Sequence, residues 1–310
     1  MRPAFSVVLL TTLIGAGQGL FLALFATEVV AMAGLSTMPS MSFFVGGGVV
    51  ALALTGAGLI ASIFHLGHPE RGWRAAARWR TSWLSREVIV LPLFMAGLFA
   101  WIVAHFTGAV ATGMLGVVTA VLALSLFLCT AMIYACLRLL KEWASPLTPL
   151  NYLLLGCASG TALAAAYAGV LGSPLAPSFA AAALSLTLAG AVTRIAALAR
   201  NRSLRPTSTL QTAIGIPHPR IRQTAQGFMG GSFNTREFFH GATPQKMRAI
   251  KWGFLVLAFA VPALLLAFGR SSASMLVVAF VVQYVGLLAE RWYFFAEANH
   301  PQNLYYQSMS

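Results

Sequence analysis

Eight apolar runs, each about 20 residues long, leave this chain little choice of fold. They lie near 6–33, 42–65, 88–107, 112–137, 150–172, 178–199, 252–269 and 274–297. A run of that length crosses roughly 30 Å of hydrocarbon as a helix. In that medium only a helix or a closed barrel satisfies every backbone N–H and C=O, and continuous apolar runs match the helix. The expected fold class is therefore all-α integral membrane, with eight transmembrane helices. A water-soluble fold fails on composition. Hydrophobic residues fill 58% of the 310 positions and charged residues only 9%, where soluble domains carry about 25% charged residues.

Most of the charges lie between the runs. The seven acids are all Glu and face 20 Lys and Arg, a net charge of +13. Short basic clusters separated by apolar runs belong to membrane loops rather than to a nucleic-acid groove. The connections after segments 1, 3 and 5 carry no charge, and the one after segment 7 carries only Arg270. The others are strongly basic: Arg71, Arg74, Arg78, Arg80 and Arg86 after segment 2, and Arg138 and Lys141 after segment 4. After segment 6 a long loop, about 200–251, holds nine more Lys and Arg. The positive-inside rule puts these loops and both termini in the cytoplasm. A bacterial cytoplasmic (inner) membrane is the expected location. Arg2 and Ala31-Met32-Ala33 resemble parts of a signal peptide, but the first run exceeds the 7–15 residues of such a segment and Glu28 interrupts its end.

The expected organisation is one membrane domain over 1–310, with helices 1–4 at about 1–140 and helices 5–8 at about 150–300. Segments 1 and 5 share a small-residue signature, Gly15-Ala-Gly-Gln-Gly19 and Gly156-Cys-Ala-Ser-Gly160. Segments 2 and 6 share Leu54-Thr55-Gly56-Ala57-Gly58 and Leu186-Thr187-Leu188-Ala189-Gly190. Two parallel four-helix repeats are one reading. The other is that small residues recur wherever membrane helices approach closely.

Candidate chemistry concentrates after segment 2, in a stretch from His65 to Glu87. Pro69 stops the helix. Arg71, Arg74 and Arg78 then share a face at helical spacing, and Trp73, Trp79 and Trp83 suit the interface. A short amphipathic helix on an anionic leaflet accounts for most of this. His65 is harder to dismiss, since an imidazole ending an apolar span is placed to hydrogen-bond a quinone carbonyl and exchange its proton. Glu28 and His105 lie near the far ends of segments 1 and 3. Snorkelling to the interface is the first expectation for both, a proton path the second. Glu87 opens segment 3, where a carboxylate suits a helix N-terminus. Glu290 and Arg291 are adjacent on one helix and need partners elsewhere.

No pair of histidines faces across helices at one depth, which argues against haem. Cys129, Cys136 and Cys157 form no CxxC pair, and there is no glycine-rich phosphate loop. No metal ligand set and no catalytic residue is expected in this chain. In the 6–7 loop, aromatic residues, Arg and Gly are mixed from Gly227 to Gly241, as at docking surfaces.

Four blocks together resemble a known family: Arg2-Pro-Ala-Phe-Ser-Val; His65-Leu-Gly-His-Pro-Glu-Arg with Ser82-Trp-Leu-Ser-Arg-Glu87; Gly230-Gly-Ser-Phe-Asn-Thr-Arg-Glu-Phe-Phe-His-Gly241; and the tail Glu290-Arg-Trp-Tyr-Phe-Phe-Ala-Glu-Ala-Asn-His-Pro-Gln-Asn-Leu-Tyr-Tyr306. They look like the membrane anchors of the DMSO-reductase type, within the polysulfide-reductase anchor group, and most like those of cytoplasmic sulfite-oxidising complexes. The resemblance implies an eight-helix anchor without haem that binds a quinone, menaquinone or ubiquinone. It implies an iron–sulfur subunit with [4Fe–4S] clusters and a catalytic subunit holding a molybdenum pterin cofactor as partners. It associates His65 with the quinone, and with it Gly67 and Arg71. Docking is expected at Arg74, Arg78, Arg236, Phe238 and His240, and a proton path at Glu28, Glu87 and Glu290. An anchor of a DMSO or other S/N-oxide reductase running in the opposite direction is the alternative. A transporter, the alternative of another class, would need ionisable groups at mid-membrane, and the span centres are almost free of them.

Overall fold

The computed structural model describes residues 1–64, 67–206, 208–224 and 237–305. Among them stand eight long apolar helices: α1 (Phe5–Met32), α2 (Met41–Ile63), α3 (Trp83–Thr107), α4 (Thr112–Ala135), α5 (Leu147–Val170), α6 (Ala176–Arg202), α7 (Pro244–Phe268) and α8 (Ala273–Glu297). Each is long and apolar enough to cross a membrane. The described residues contain no strand.

The helix ends follow local chemistry. The hydroxyls of Ser40, Ser82 and Thr243 accept backbone N–H groups at the starts of α2, α3 and α7, at 3.2–3.3 Å. Gly108 ends α3 with φ +68°, a left-handed conformation that glycine adopts without strain. Some boundaries differ from the sequence expectation. α3 starts at Trp83 rather than 88, so Glu87 lies a turn inside the helix and Ser82 caps it. α7 starts at Pro244 rather than 252, and α6 runs on to Arg202. The loop expected at about 200–251 thus shrinks to 203–243. Lys246, Arg248 and Lys251 stand on a helix, with Pro244 in its first turn where a missing N–H is harmless.

The core is built around α1, the most enclosed of the eight helices, with α5 next. Their crossing is close because glycine faces glycine. A Cβ on Gly19 would lie 2.2 Å from the Gly156 carbonyl oxygen, and one on Gly160 would lie 2.2 Å from the Gly19 carbonyl carbon. α2 packs against α1 in the same way, Gly58 against Ile14 and Leu10 and Gly17 against Thr55 and Ala51. Small residues take this role in bilayers because close van der Waals packing, rather than exclusion of water, draws membrane helices together. Phe21, Phe44, Phe94 and Trp101 fill the space between α1, α2 and α3, with Phe21 edge-on to Phe94 and Trp101.

α7 contains one π turn, Val256–Ala260. Pro262 has no N–H to offer the carbonyl four residues earlier, that of Ala258. Gln283 of α8 supplies a donor instead, its Nε2 lying 3.4 Å from Ala258 O and 2.8 Å from Thr187 Oγ1 of α6. Gly286 lets α8 approach this widened turn, since a Cβ there would lie 2.2 Å from Ala258 N. One amide thus joins α6, α7 and α8 where lipid offers no hydrogen-bond partner.

Candidate functional site

His65 and Arg236 lie outside the described residues. Gly67 and Arg71 are exposed beyond the end of α2. Residues Pro69–Arg78 form a 3₁₀ helix rather than an α-helix. At three residues per turn Arg71 and Arg74 stand in line, while Arg78 is displaced by about a third of a turn. Arg71 Nε is 3.8 Å from Glu70 Oε1, and that oxygen is 3.0 Å from His68 Nδ1. Arg74, Arg78, Arg80 and Arg86 are exposed or nearly so, and the guanidiniums of Arg74, Arg80 and Arg86 sit over Trp73, Trp79 and Trp83.

Phe238 stacks on His300 with centroids 3.9 Å apart, and Asn303 Nδ2 donates to Phe238 O at 3.2 Å. Arg2 N donates to Glu237 O at 2.9 Å, and the Met1 amine to Ala298 O at 2.8 Å. The chain start, the end of the 6–7 connection and the tail are therefore knitted together. His240 Nδ1 accepts from Ala242 N at 3.0 Å. Burial, then the neighbouring N-terminal ammonium, holds the His240 and His300 imidazoles below their ordinary value, and burial lowers the Met1 amine to about 6.

Behind this layer lies a polar chamber lined by Thr11, Gln18, Glu87, Thr130, Tyr152 and Arg291, with apolar walls from Leu10, Phe127 and Leu287. It occupies the half of the bundle nearer the termini, between α1, α3, α4, α5 and α8. Glu87 reaches it from four residues inside α3, about 6 Å along the axis. The Thr130 hydroxyl of α4 donates to Glu87, and both are buried. The Arg291 guanidinium lies 3.8 Å from the Tyr152 ring centre, and its Nε has no hydrogen-bond partner among the described residues.

A second chamber adjoins the first and shares Tyr152 and Arg291 with it. Its wall includes Glu142, Asn151, Arg194, Asn201 and Glu290. Arg194 Nε meets Glu290 Oε1 at 2.6 Å, with both side chains no more than 2% exposed. Arg194 also faces Glu297 at 3.8 Å, and Glu297 accepts from Asn201 Nδ2 at 3.1 Å. Arg291 lies 3.7 Å from Glu290, so adjacency on α8 does not keep these two apart. Sequence reasoning misses Arg194, although a lone arginine in an apolar span is itself a signal of function.

At the other end of the bundle the snorkelling expectation fails. Glu28 is 1% and His105 7% exposed. Trp101 Nε1 donates to Glu28 Oε2 at 2.9 Å, His105 Nε2 lies 3.4 Å from Oε1, and Phe44 stacks on His105 at 4.5 Å. Buried polar groups in hydrocarbon pair with one another rather than reach for water when helices bring partners close. Glu87 and Glu290 flank the Tyr152 and Arg291 wall, whereas Glu28 is remote from both. Among the described residues, no group of three or more His, Cys, Asp and Glu side chains is placed to hold a metal ion.

Eight apolar helices around buried ionisable chambers define a multi-pass helical membrane protein, with its basic loops gathered at one end. The chain belongs to the DMSO reductase anchor subunit (DmsC) family, matching it over residues 1–297. It is 52% identical over 325 aligned positions to a sulfite dehydrogenase subunit of Allochromatium vinosum, with 100% of both chains covered. It is thus the anchor of an oxidoreductase complex of the DMSO-reductase type.

Proposed function

We propose that this subunit passes electrons from an iron–sulfur partner to quinone, in a complex whose molybdenum-containing subunit oxidises sulfite to sulfate in the cytoplasm. The observation that carries the reading is the polar chamber around Glu87 and Arg291, set a turn or two inside the face that bears the basic loops. That face is where a soluble partner docks under the positive-inside orientation. The choice of sulfite follows the relative of Allochromatium vinosum, which is a sulfite dehydrogenase subunit.

Quinone reduction takes up two electrons and two protons. The electrons come from the partner's clusters; this chain supplies the binding surface and the protons. Arg291 suits a developing negative charge on a quinone oxygen, and Glu87 suits proton exchange with that oxygen. His65, Gly67 and Arg71, which follow α2 in the chain, take part in binding the quinone. The molybdenum cofactor and the [4Fe–4S] clusters belong to the partners.

Membranes holding the whole complex test this. Sulfite-driven quinone reduction is measured beside dye-linked sulfite oxidation, in wild type, His65→Ala and Glu87→Gln. Quinone reduction should collapse in both variants while the dye reaction persists. Full quinone reduction in both variants overturns the site, and inert sulfite in wild type overturns the substrate.

A further inference from the structure

Toward the termini the chamber holding Glu87 is bounded by a cluster of buried apolar side chains. Val8, Ala131, Leu140, Trp143, Tyr152, Phe294, Phe295 and Ala298 pack as one apolar layer on that side. Tyr134 and Trp143 meet edge to face, Trp143 stacks on Phe294, and the indole N–H donates to Phe294 O at 2.9 Å. A proton does not cross such a layer unaided. The second chamber goes around it. It meets the first at Tyr152 and Arg291 and holds Glu290 at its inner end. Glu297, whose side chain is 16% exposed, lies behind its wall, 3.8 Å from Arg194 and bonded to Asn201, two residues that line it.

The geometry points to this second chamber as the route by which protons move between the basic face and the Glu87 chamber, with Glu297 and Glu290 as relay carboxylates. The inference rests on the quinone reading above. For each quinone reduced, two electrons arrive from the iron–sulfur partner and two protons enter from water at the basic face. They pass by way of Glu297 and Glu290 to Glu87 and the quinone oxygens, forming two O–H bonds. The arginines cannot serve as carriers because a guanidinium does not give up its proton in proteins. Arg194 and Arg291 position the carboxylates instead. Their two positive charges balance Glu290 and Glu297. The charged and titratable groups around the relay are Arg194 of α6, Tyr152 of α5, Arg291 and Tyr293 of α8, Glu142 of the 4–5 connection and Glu87 across the shared wall.

The test uses the assembled complex in nanodiscs, with Glu290→Gln and Glu297→Gln. Three readings are taken: reduction of a short-chain quinone driven by a reduced dye, its pH profile, and binding of a fluorescent hydroxyquinoline N-oxide as quinone analogue. The inference expects quinone reduction to fall roughly tenfold in each variant, the deficit widening as pH rises, with analogue affinity unchanged. Glu290→Gln leaves Arg194 without its nearest counter-charge, so if that variant fails to assemble the partly exposed Glu297 carries the test, with Glu297→Asp restoring the rate. Normal rates and an unshifted pH profile in assembled Glu297→Gln overturn the relay while leaving the quinone site standing. Absence of analogue binding in wild type overturns the quinone reading itself, and the relay with it.

Discussion

Glu28 and His105 hold each other at the end of the bundle remote from the termini, Oε1 to Nε2 at 3.4 Å, with Trp101 donating to the other carboxylate oxygen. The cluster joins α1 to α3, and Phe44 brings in α2 through its stack on the imidazole. Removing one partner leaves a buried polar group unmatched. His105→Leu should lower stability by roughly 1–3 kcal/mol, the cost of leaving a buried polar group unsatisfied. The double variant Glu28→Gln/His105→Leu should lose less than the sum of the two single losses. Thermal unfolding of the detergent-solubilised subunit reads both values, and strict additivity would show that the two side chains are not coupled.

The α1 and α5 crossing predicts an asymmetry among glycines. Gly19→Ala and Gly160→Ala drive a methyl group into backbone and should each cost about 1–3 kcal/mol or abolish assembly. Gly253→Ala on α7 meets nothing within 4 Å and should be neutral or stabilising by up to about 1 kcal/mol. Yield of folded protein and unfolding midpoint distinguish them.

Docking predicts a charge effect without a folding effect. Reversal of Arg74, Arg78 and Arg236 to Glu should strip the iron–sulfur partner from membranes while the anchor inserts at its normal level. Immunodetection of both proteins in washed membranes decides it. Partner retention at wild-type level removes these arginines from the interface.

The knitted termini should loosen in acid. His240 and His300 are held below the ordinary imidazole value of 6.5, and the Met1 amine is lowered from 8.0 to about 6. Each base therefore binds fewer protons docked than released. Docking is at full strength above the released values and weakens as pH falls through them. Limited proteolysis of the tail should accelerate as pH falls from about 7.5 to about 5.5, the span that these values bracket. In His300→Phe, which keeps the stack on Phe238 but not the proton, the acceleration should shrink. An unchanged pH response in that variant would assign the effect elsewhere.

The eight spans are legible in the sequence because hydropathy over 20 residues depends on no partner. The start of α7 is not, since Lys246, Arg248 and Lys251 make a helical stretch look like loop; Thr243 and Pro244, a cap followed by a tolerated proline, are the available signal. The chambers are hidden for another reason. Arg194 and Glu290 sit far apart in sequence, and only the folded bundle brings their side chains together. The snorkelling expectation for Glu28 and His105 fails in the same way, for want of knowing that α1 and α3 are neighbours. Glu87 stands out in the sequence only as a helix-end charge; its burial against Thr130 depends on α4.

The glycine crossing has a consequence for biogenesis. While the ribosome is still making the fourth helix, α1 presents Gly15 and Gly19 to lipid, a groove without its ridge. That groove closes only when α5 has left the translocon, so the two halves cannot mature as separate parts. The order of events in the cell is thus written into two pairs of residues that have no side chains at all.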